Sequence, residues 1–126
     1  ILPQAKSISD KRIGNAKYLD SGLQKIDGIS IPPRPEDFRL VFHLYIVFAR
    51  DRDGLLKYCL DKGIDAKIHY PIPIYKQSAL DYLGYEDGDF PVTDAHVEKI
   101  ITFPCDQHLD QKQLDYIITS VAEYYE

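Results

Sequence analysis

The residues best suited to chemistry in this chain are His69 and Tyr70, which precede Pro71 and Pro73, and Tyr75, which follows them. Imidazole and phenol groups donate and accept hydrogen bonds. Aromatic rings on a proline-stiffened backbone are typical of a wall that binds a flat or sugar-like ligand. We therefore interpret these three side chains as candidate substrate-binding residues, although a packed strand end would explain the same pattern equally well.

A second pair of candidate residues, His43 and Tyr45, lies two positions apart in the apolar run 40–48. Side chains two apart in a strand share a face of the sheet. Burying an imidazole costs free energy unless it has a hydrogen-bond partner. His43 is therefore either a satisfied core residue or a pocket residue, and both interpretations stay open. We count His43 and Tyr45 among the candidate substrate-binding residues.

Residues 64–70 alternate apolar with polar side chains, which predicts a half-buried strand. The prolines that follow end the strand because they cannot donate to a sheet ladder. His69 falls on the polar face with Asp65 and Lys67, so the core does not explain it. Tyr70 falls on the apolar face and is predicted to pack. The stiff arm beyond it is expected to pack against another body.

The other elements follow from periodicity and capping residues, with Asp51 and Thr93 as N-caps and Gly63 at a helix C-cap. Strands are predicted over 40–48 and 100–103. Helices are predicted over 6–23, 53–62, 76–83 and 93–99. A further helix is predicted in the C-terminal segment, which begins with a capping box of Asp110 and Gln113. The predicted fold class is α/β, a two-layer sandwich with a three- to four-stranded sheet and helices packed on one side. Residues 40–73 would form a βαβ-like unit.

Composition narrows the function classes. The 126 residues predict a single domain. A formal net charge of -5 without a basic cluster argues against nucleic-acid binding, and no apolar run approaches the length of a membrane span. Cys59 and Cys105 occur singly and favour reduced core residues, and hence a cytoplasmic protein. The four histidines show no metal-ligand spacing, and no catalytic motif is present.

An ordered series of short motifs carries a resemblance to a known family. The series reads His43-Leu44-Tyr45, Gly63-Ile64, Ile68-His69-Tyr70-Pro71-Ile72-Pro73, Gly88-Asp89-Phe90-Pro91 and Phe103-Pro104. It resembles the C-terminal small domain of the DegT/StrS-type sugar aminotransferases. The opening stretch, with Lys11-Arg12, Asn15-Ala16, Tyr18 and Leu23, is similar to the helix that joins the large and small domains in that family. Tyr75 departs from it, because many relatives carry a second histidine there.

The resemblance implies a parent enzyme of fold type I that uses pyridoxal 5'-phosphate (PLP). Such a parent is a homodimer that transfers an amino group, often from glutamate, to a keto group on a nucleotide-linked sugar. Residues 1–23 would connect a missing N-terminal large domain to a small domain at 24–126, which helps to close the active site and position the substrate.

In that family the lysine that forms the Schiff base belongs to the large domain, whereas Lys11 matches the connecting helix. The resemblance therefore implies that no catalytic residue lies in this chain, which would be inactive alone. Two alternatives remain open. One is the small domain of a lysine-less PLP-dependent sugar dehydratase, and the other is a free-standing interaction or regulatory domain.

Overall fold

The computed structural model describes residues 2–126, which form helices on one side of a small sheet. The helices are α1 (Ala5–Leu23), α2 (Arg52–Asp61), α3 (Pro91–Val97) and α4 (Gln111–Tyr125), and the strands are β1 (Ile29–Ser30), β2 (Tyr45–Ala49) and β3 (Ile100–Phe103). Short 3₁₀ turns cover Leu2–Gln4, Ile74–Lys76 and Ser78–Leu83. Within residues 2–126, no helix combines the length and apolar character needed to cross a bilayer.

The sheet is antiparallel, with β2 between β1 and β3. Ile29 pairs with Ala49 across β1 and β2, and Tyr45 pairs with Phe103 across β2 and β3. Side chains along a strand point alternately to its two faces. Tyr45, Val47 and Ala49 are accordingly buried, whereas the two residues between them are half-buried. One face of the central strand therefore belongs to the core.

The core lies between this sheet face and the helices. Helix α1 packs on α4, and α2 packs on α4 and on strands β2 and β3. Leu19 and Leu23 of α1 are fully buried, and Ile117 and Val121 of α4 nearly or fully so. Burial of each large side chain contributes about 1.5–3 kcal/mol before conformational entropy is subtracted. The predicted two-layer α/β fold class is confirmed, with three strands.

The local signals at helix ends are also confirmed. The Asp110 side chain accepts from the Gln113 backbone N–H at 2.9 Å, and the Gln113 side chain accepts from the Asp110 backbone N–H at 2.9 Å. This reciprocal pair is a capping box. Asp51 caps α2 by accepting from the backbone N–H of Gly54 at 3.3 Å. Gly63, just beyond α2, has a φ of 77°, which glycine adopts without a steric penalty.

The predicted strand over 40–48 is wrong in its first half, because β2 begins only at Tyr45. Phe42 has a φ of 52°, in the left-handed region, which interrupts an extended chain. The carbonyls of Phe42 and His43 accept hydrogen bonds from Arg12 instead of from a neighbouring strand. Apolar composition alone could not reveal this competing side-chain donor.

The predicted strand over 64–70 and the βαβ-like unit are also wrong. Only an isolated bridge between Lys67 and Thr102 forms there, and the Ala66 N–H turns back to the Ile64 carbonyl at 2.8 Å. The burial alternation is nevertheless as predicted, since Ile64 and Ala66 are buried and Asp65 and Lys67 are exposed. Strand β1, which the sequence did not predict, pairs with the other edge of β2.

Two helix predictions need correction. Residues 76–83 form 3₁₀ turns instead of a continuous α-helix. Helix α3 begins at Pro91 and ends at Val97, so Thr93 lies inside it and is not its N-cap. Proline at the first helical position is favoured because its φ is preset and its missing N–H would have no partner within the helix.

Candidate functional site

Helix α1 fixes the first wall of a small cavity near the start of β2. The half-buried Arg12 donates through Nε and Nη2 to the carbonyl of Phe42, at 2.9 and 2.7 Å, and through Nη2 to that of His43, at 2.8 Å. One turn later, the buried Asn15 donates to the carbonyl of Asp106 at 2.6 Å. The positions of the His43 backbone and the segment after β3 are therefore both set by α1.

The second wall carries His69, held against β3. Lys67 and Thr102 exchange two backbone hydrogen bonds, of 3.0 and 2.8 Å, which bring the 67–69 segment alongside β3. His69 Nδ1 then lies 3.1 Å from Thr102 Oγ1, and Thr102 itself is 7% exposed. The ring of Tyr70 meets the His69 ring edge-on, with centroids 5.4 Å apart. His69 is thus half-buried with one nitrogen fixed.

The cavity between these walls has a volume of about 200 Å³. Tyr45 lines its apolar side, and its other polar and ionisable side chains are Arg12, His43, Asp65, Lys67, His69, Thr102, Cys105 and Asp106. Small-molecule sites usually enclose about 300–1,000 Å³. The cavity of this chain is therefore smaller than a usual small-molecule site.

The structure brings His43 and His69, which the sequence named separately, to the same cavity. His43 is exposed, which favours the pocket interpretation over a buried core histidine. Tyr45 is fully buried, and its hydroxyl donates to Asp20 Oδ1 at 2.7 Å. Burial and this hydrogen bond to Asp20 raise the pKa of Tyr45. In this conformation Tyr45 supports the cavity from the core side.

Tyr70 differs from its predicted environment. It was expected to pack on the apolar face, but its side chain is 67% exposed. The cause is the irregular chain at 68–70, which does not continue the strand alternation. Tyr70 therefore lies at the surface beside His69, and removal of its ring is not expected to destabilise the fold as a buried tyrosine would.

Tyr75 belongs to a separate cluster. Its hydroxyl donates to Asp94 Oδ1 at 2.6 Å, and its ring centroid lies 4.9 Å from that of Phe90 and 6.5 Å from that of Tyr85. Partial burial and the hydrogen bond to Asp94 raise the pKa of Tyr75. Tyr75 does not line the His43–His69 cavity in the part of the chain that the structure describes. Its substrate-binding role stays a prediction.

Residues 70–92, which we call the arm, expose many apolar side chains. The large exposed ones are Tyr70, Ile72, Ile74, Tyr82, Leu83, Tyr85, Phe90 and Val92. Large apolar side chains that are exposed together, where they form a contiguous patch, are typical of an interaction site. The sequence had predicted that the arm packs against another body, and these large apolar side chains of the arm are largely or partly exposed within residues 2–126.

The chain also contains two free thiols, and one of them, Cys105, lines the cavity. Cys59 and Cys105 are buried free thiols. Burial raises the pKa of both thiols to about 11, so the reactive thiolate is scarce at neutral pH. Among the described residues, no three His, Cys, Asp or Glu side chains lie close enough to hold a metal ion.

Two residues of the cavity were missed by the sequence analysis as site residues, Arg12 and Thr102. The sequence placed Arg12 only within the connecting helix, and Thr102 inside the short strand 100–103. Thr102 is the one polar residue of the Ile-Ile-Thr-Phe strand β3, and a polar group in such a strand requires a hydrogen-bond partner. That signal could have marked Thr102, but nothing local identifies His69 as the partner.

Comparison with known proteins identifies the family. The DegT/DnrJ/EryC1/StrS aminotransferase family profile matches residues 2–122. The chain belongs to this family. Members of this family are PLP-dependent. A sugar aminotransferase-like protein of Streptococcus pneumoniae, solved in a PMP form, superposes on this chain with a TM-score of 0.85 and 25% identity. The superposition covers 99% of this chain and 33% of the S. pneumoniae protein. The resemblance drawn from the motifs is therefore confirmed.

Relatives in this family are much longer than the present chain. The dTDP-3-amino-3,4,6-trideoxy-alpha-D-glucose transaminase of Streptomyces venezuelae is 32% identical over 111 residues, which make up 88% of this chain and 29% of that enzyme. The erythromycin biosynthesis sensory transduction protein EryC1 of Saccharopolyspora erythraea is 27% identical over 111 residues, or 88% of this chain and 30% of EryC1. The chain thus spans under a third of the length of these relatives.

A solved family structure confirms the fold. S. venezuelae DesV, in complex with a ketimine intermediate, superposes with a TM-score of 0.94 and 29% identity, covering 99% of this chain and 34% of DesV. Nearly every element described above therefore has a counterpart within one part of that longer protein.

The residues of this chain do not by themselves fit the covalent site of PLP. A lysine that forms an imine must present a neutral, desolvated amine, but every lysine within residues 2–126 is exposed. Lys67, the lysine that lines the cavity, is 57% exposed and pairs with Asp65 at 2.8 Å. No lysine among the described residues therefore has the desolvated surroundings that favour imine formation.

Proposed function

We propose that this chain is the C-terminal small domain of a PLP-dependent aminotransferase that acts on a nucleotide-linked keto sugar. The observation that carries the proposal is the superposition of the whole fold on one part of DesV, a protein crystallised with a ketimine intermediate. The name of the S. venezuelae relative, a dTDP-amino-sugar transaminase, supports the substrate class and favours amino transfer over dehydration.

In this proposal residues 1–23 form the helix that connects to an N-terminal large domain, and residues 24–126 form the small domain. Residue 1 lies outside the described residues. Helix α1 suits this role because its inner face joins the core through Ala16, Leu19 and Leu23, while Arg12 and Asn15 organise the cavity. Movement of the connecting helix would therefore carry the cavity walls with it.

The small domain positions substrate and helps to close the active site. His43 and His69 supply imidazoles at one wall, and the 200 Å³ volume leaves the remaining walls to the large domain. The exposed apolar side chains of the arm give another body a surface on which to pack. The complete assembly is a homodimer, and glutamate is the amino donor.

PLP bound in the large domain would supply the chemistry of amino transfer. The contribution of this chain is orientation: side chains held by β3 and α1 keep their geometry while substrate binds. Such positioning matters because misplacement by about 1 Å can cost roughly 100-fold in rate. Within this chain, His69 is the best-supported residue for that role, since its ring is anchored on one side and borders the cavity.

The proposal is tested by comparing this chain with the complete reading frame that contains it. The complete protein should bind PLP and convert glutamate and a dTDP-linked keto sugar to the amino sugar. This chain alone should give no stoichiometric borohydride-trapped PLP adduct at a single lysine. Such an adduct, or a complete protein that dehydrates the sugar without transferring an amino group, would contradict the proposal.

A further inference from the structure

We propose that Thr102 is a positioning residue that holds neutral His69 with its proton on Nε2, so that His69 donates a hydrogen bond to an oxygen atom of the substrate. This inference deepens the proposed function and rests on it for the identity of the ligand. The geometry that carries it is the 3.1 Å contact between His69 Nδ1 and Thr102 Oγ1.

The direction of this hydrogen bond follows from the surroundings of Thr102. A threonine hydroxyl carries one proton that needs an acceptor, and Thr102 is 7% exposed. Within residues 2–126, the hydroxyl has a single hydrogen-bond partner, His69 Nδ1. The neighbouring backbone groups of Lys67 are already paired with those of Thr102. Since burial of an unpaired donor is costly, the hydroxyl donates and Nδ1 accepts.

A neutral imidazole carries one proton, so acceptance at Nδ1 places that proton on Nε2. His69 Nε2 makes no hydrogen bond to any of the described residues, and His69 borders the cavity. Neutral His69 therefore offers an N–H donor there, which suits a hydroxyl, keto, carboxylate or phosphate oxygen. It cannot accept a proton at Nε2 in this tautomer, which excludes Nε2 as a general base.

The decisive experiment determines the tautomer of His69 directly, by ¹⁵N NMR of the full-length protein. Uniformly ¹⁵N-histidine-labelled protein contains histidines 43, 69, 96 and 108 from this chain, and a His69→Gln variant assigns the His69 signals. At about pH 8, above the ordinary imidazole pKa of about 6.5, the ¹⁵N shifts should show protonated Nε2 and unprotonated Nδ1. Thr102→Ser should keep this pattern. Thr102→Val, which replaces the hydroxyl with a methyl group of similar size, should produce mixed tautomers.

Steady-state kinetics supply a second readout. Thr102→Val should raise KM for the nucleotide sugar by about fivefold to tenfold, the loss expected for one misoriented hydrogen bond, with a smaller change in kcat. Thr102→Ser should restore the wild-type KM. Wild-type His69 with its proton on Nδ1, or an unchanged tautomer in Thr102→Val, would overturn the inference.

These readouts separate the two proposals. If the full-length protein has no aminotransferase activity, the proposed function fails, but the wild-type tautomer still decides the role of Thr102. If Thr102→Val does not fold, the wild-type and Thr102→Ser spectra decide it without that variant.

Discussion

The core and the arm of this chain differ in how completely their own residues pack them. In the core, Leu19, Leu23 and Val47 have no exposed surface. In the arm, Ile74 is 76% exposed and Tyr82 is 80% exposed. The core is therefore stabilised by contacts within the chain, whereas the arm presents surface that requires a partner for burial.

The two regions also differ in backbone. The core uses α1 with 19 residues and α4 with 15, the second begun by a capping box. The arm contains prolines and 3₁₀ turns of 3 and 6 residues, which have poorer hydrogen-bond geometry. His69 lies at the boundary between them, with Thr102 of the sheet on one side and the exposed Tyr70 on the other. A side chain at that position is held rigidly on one side and remains accessible to a ligand on the other.

The largest effect on stability is expected from the core. Leu19→Ala should lower the free energy of unfolding by about 2–5 kcal/mol, because it leaves a cavity in place of a side chain that has no exposed surface. Urea denaturation of this chain measures the loss. Lys17→Ala, an exposed position on the same helix, is the matched control and should change stability by less than about 0.5 kcal/mol. Equal effects of the two substitutions would contradict the packing described for α1.

The core was largely predictable from the sequence because its signals are local. Helical periodicity located α1 and α4, and the spacing of Asp110 and Gln113 gave the capping box. The strand-like composition of residues 40–44 is overridden by the Arg12 hydrogen bonds, and that of residues 64–70 by a tight turn from Ile64 to Ala66. Tertiary contacts of this kind leave no periodic pattern in the sequence.

The candidate site was predictable only in part. The sequence named His43 and His69, but it could not show that both border one cavity. Arg12 contacts the Phe42 carbonyl across 30 positions, and Thr102 contacts His69 across 33, so neither pairing has a local signature. Tyr75 was grouped with His69 because the two residues flank the prolines at 71 and 73. The turns of the arm instead place Tyr75 against Asp94.

A much smaller effect on stability is expected in the arm. The double substitution Ile74→Ser and Tyr82→Ser should change the free energy of unfolding by less than about 0.5 kcal/mol, since both side chains are mostly exposed. It should also reduce binding of a hydrophobic dye to this chain. Lys57→Ser, at an exposed position of α2, should leave dye binding unchanged. Marked destabilisation by the double substitution would show that these arm residues belong to the chain's own core.

The most direct test of the account is the effect of His69→Ala in the full-length enzyme, with His108→Ala as a control at an exposed histidine outside the cavity. Kinetics with the nucleotide sugar and thermal unfolding are measured on the same preparations. Loss of a positioning group should lower kcat/KM by about tenfold to 100-fold. The variant should stay folded at the assay temperature but unfold at a somewhat lower temperature than wild type, because the buried Thr102 hydroxyl loses its partner, whereas His108→Ala should change neither activity nor stability. Full activity in His69→Ala, or activity lost only because the protein unfolds, would show that His69 is a structural residue and contradict its assignment to the substrate site.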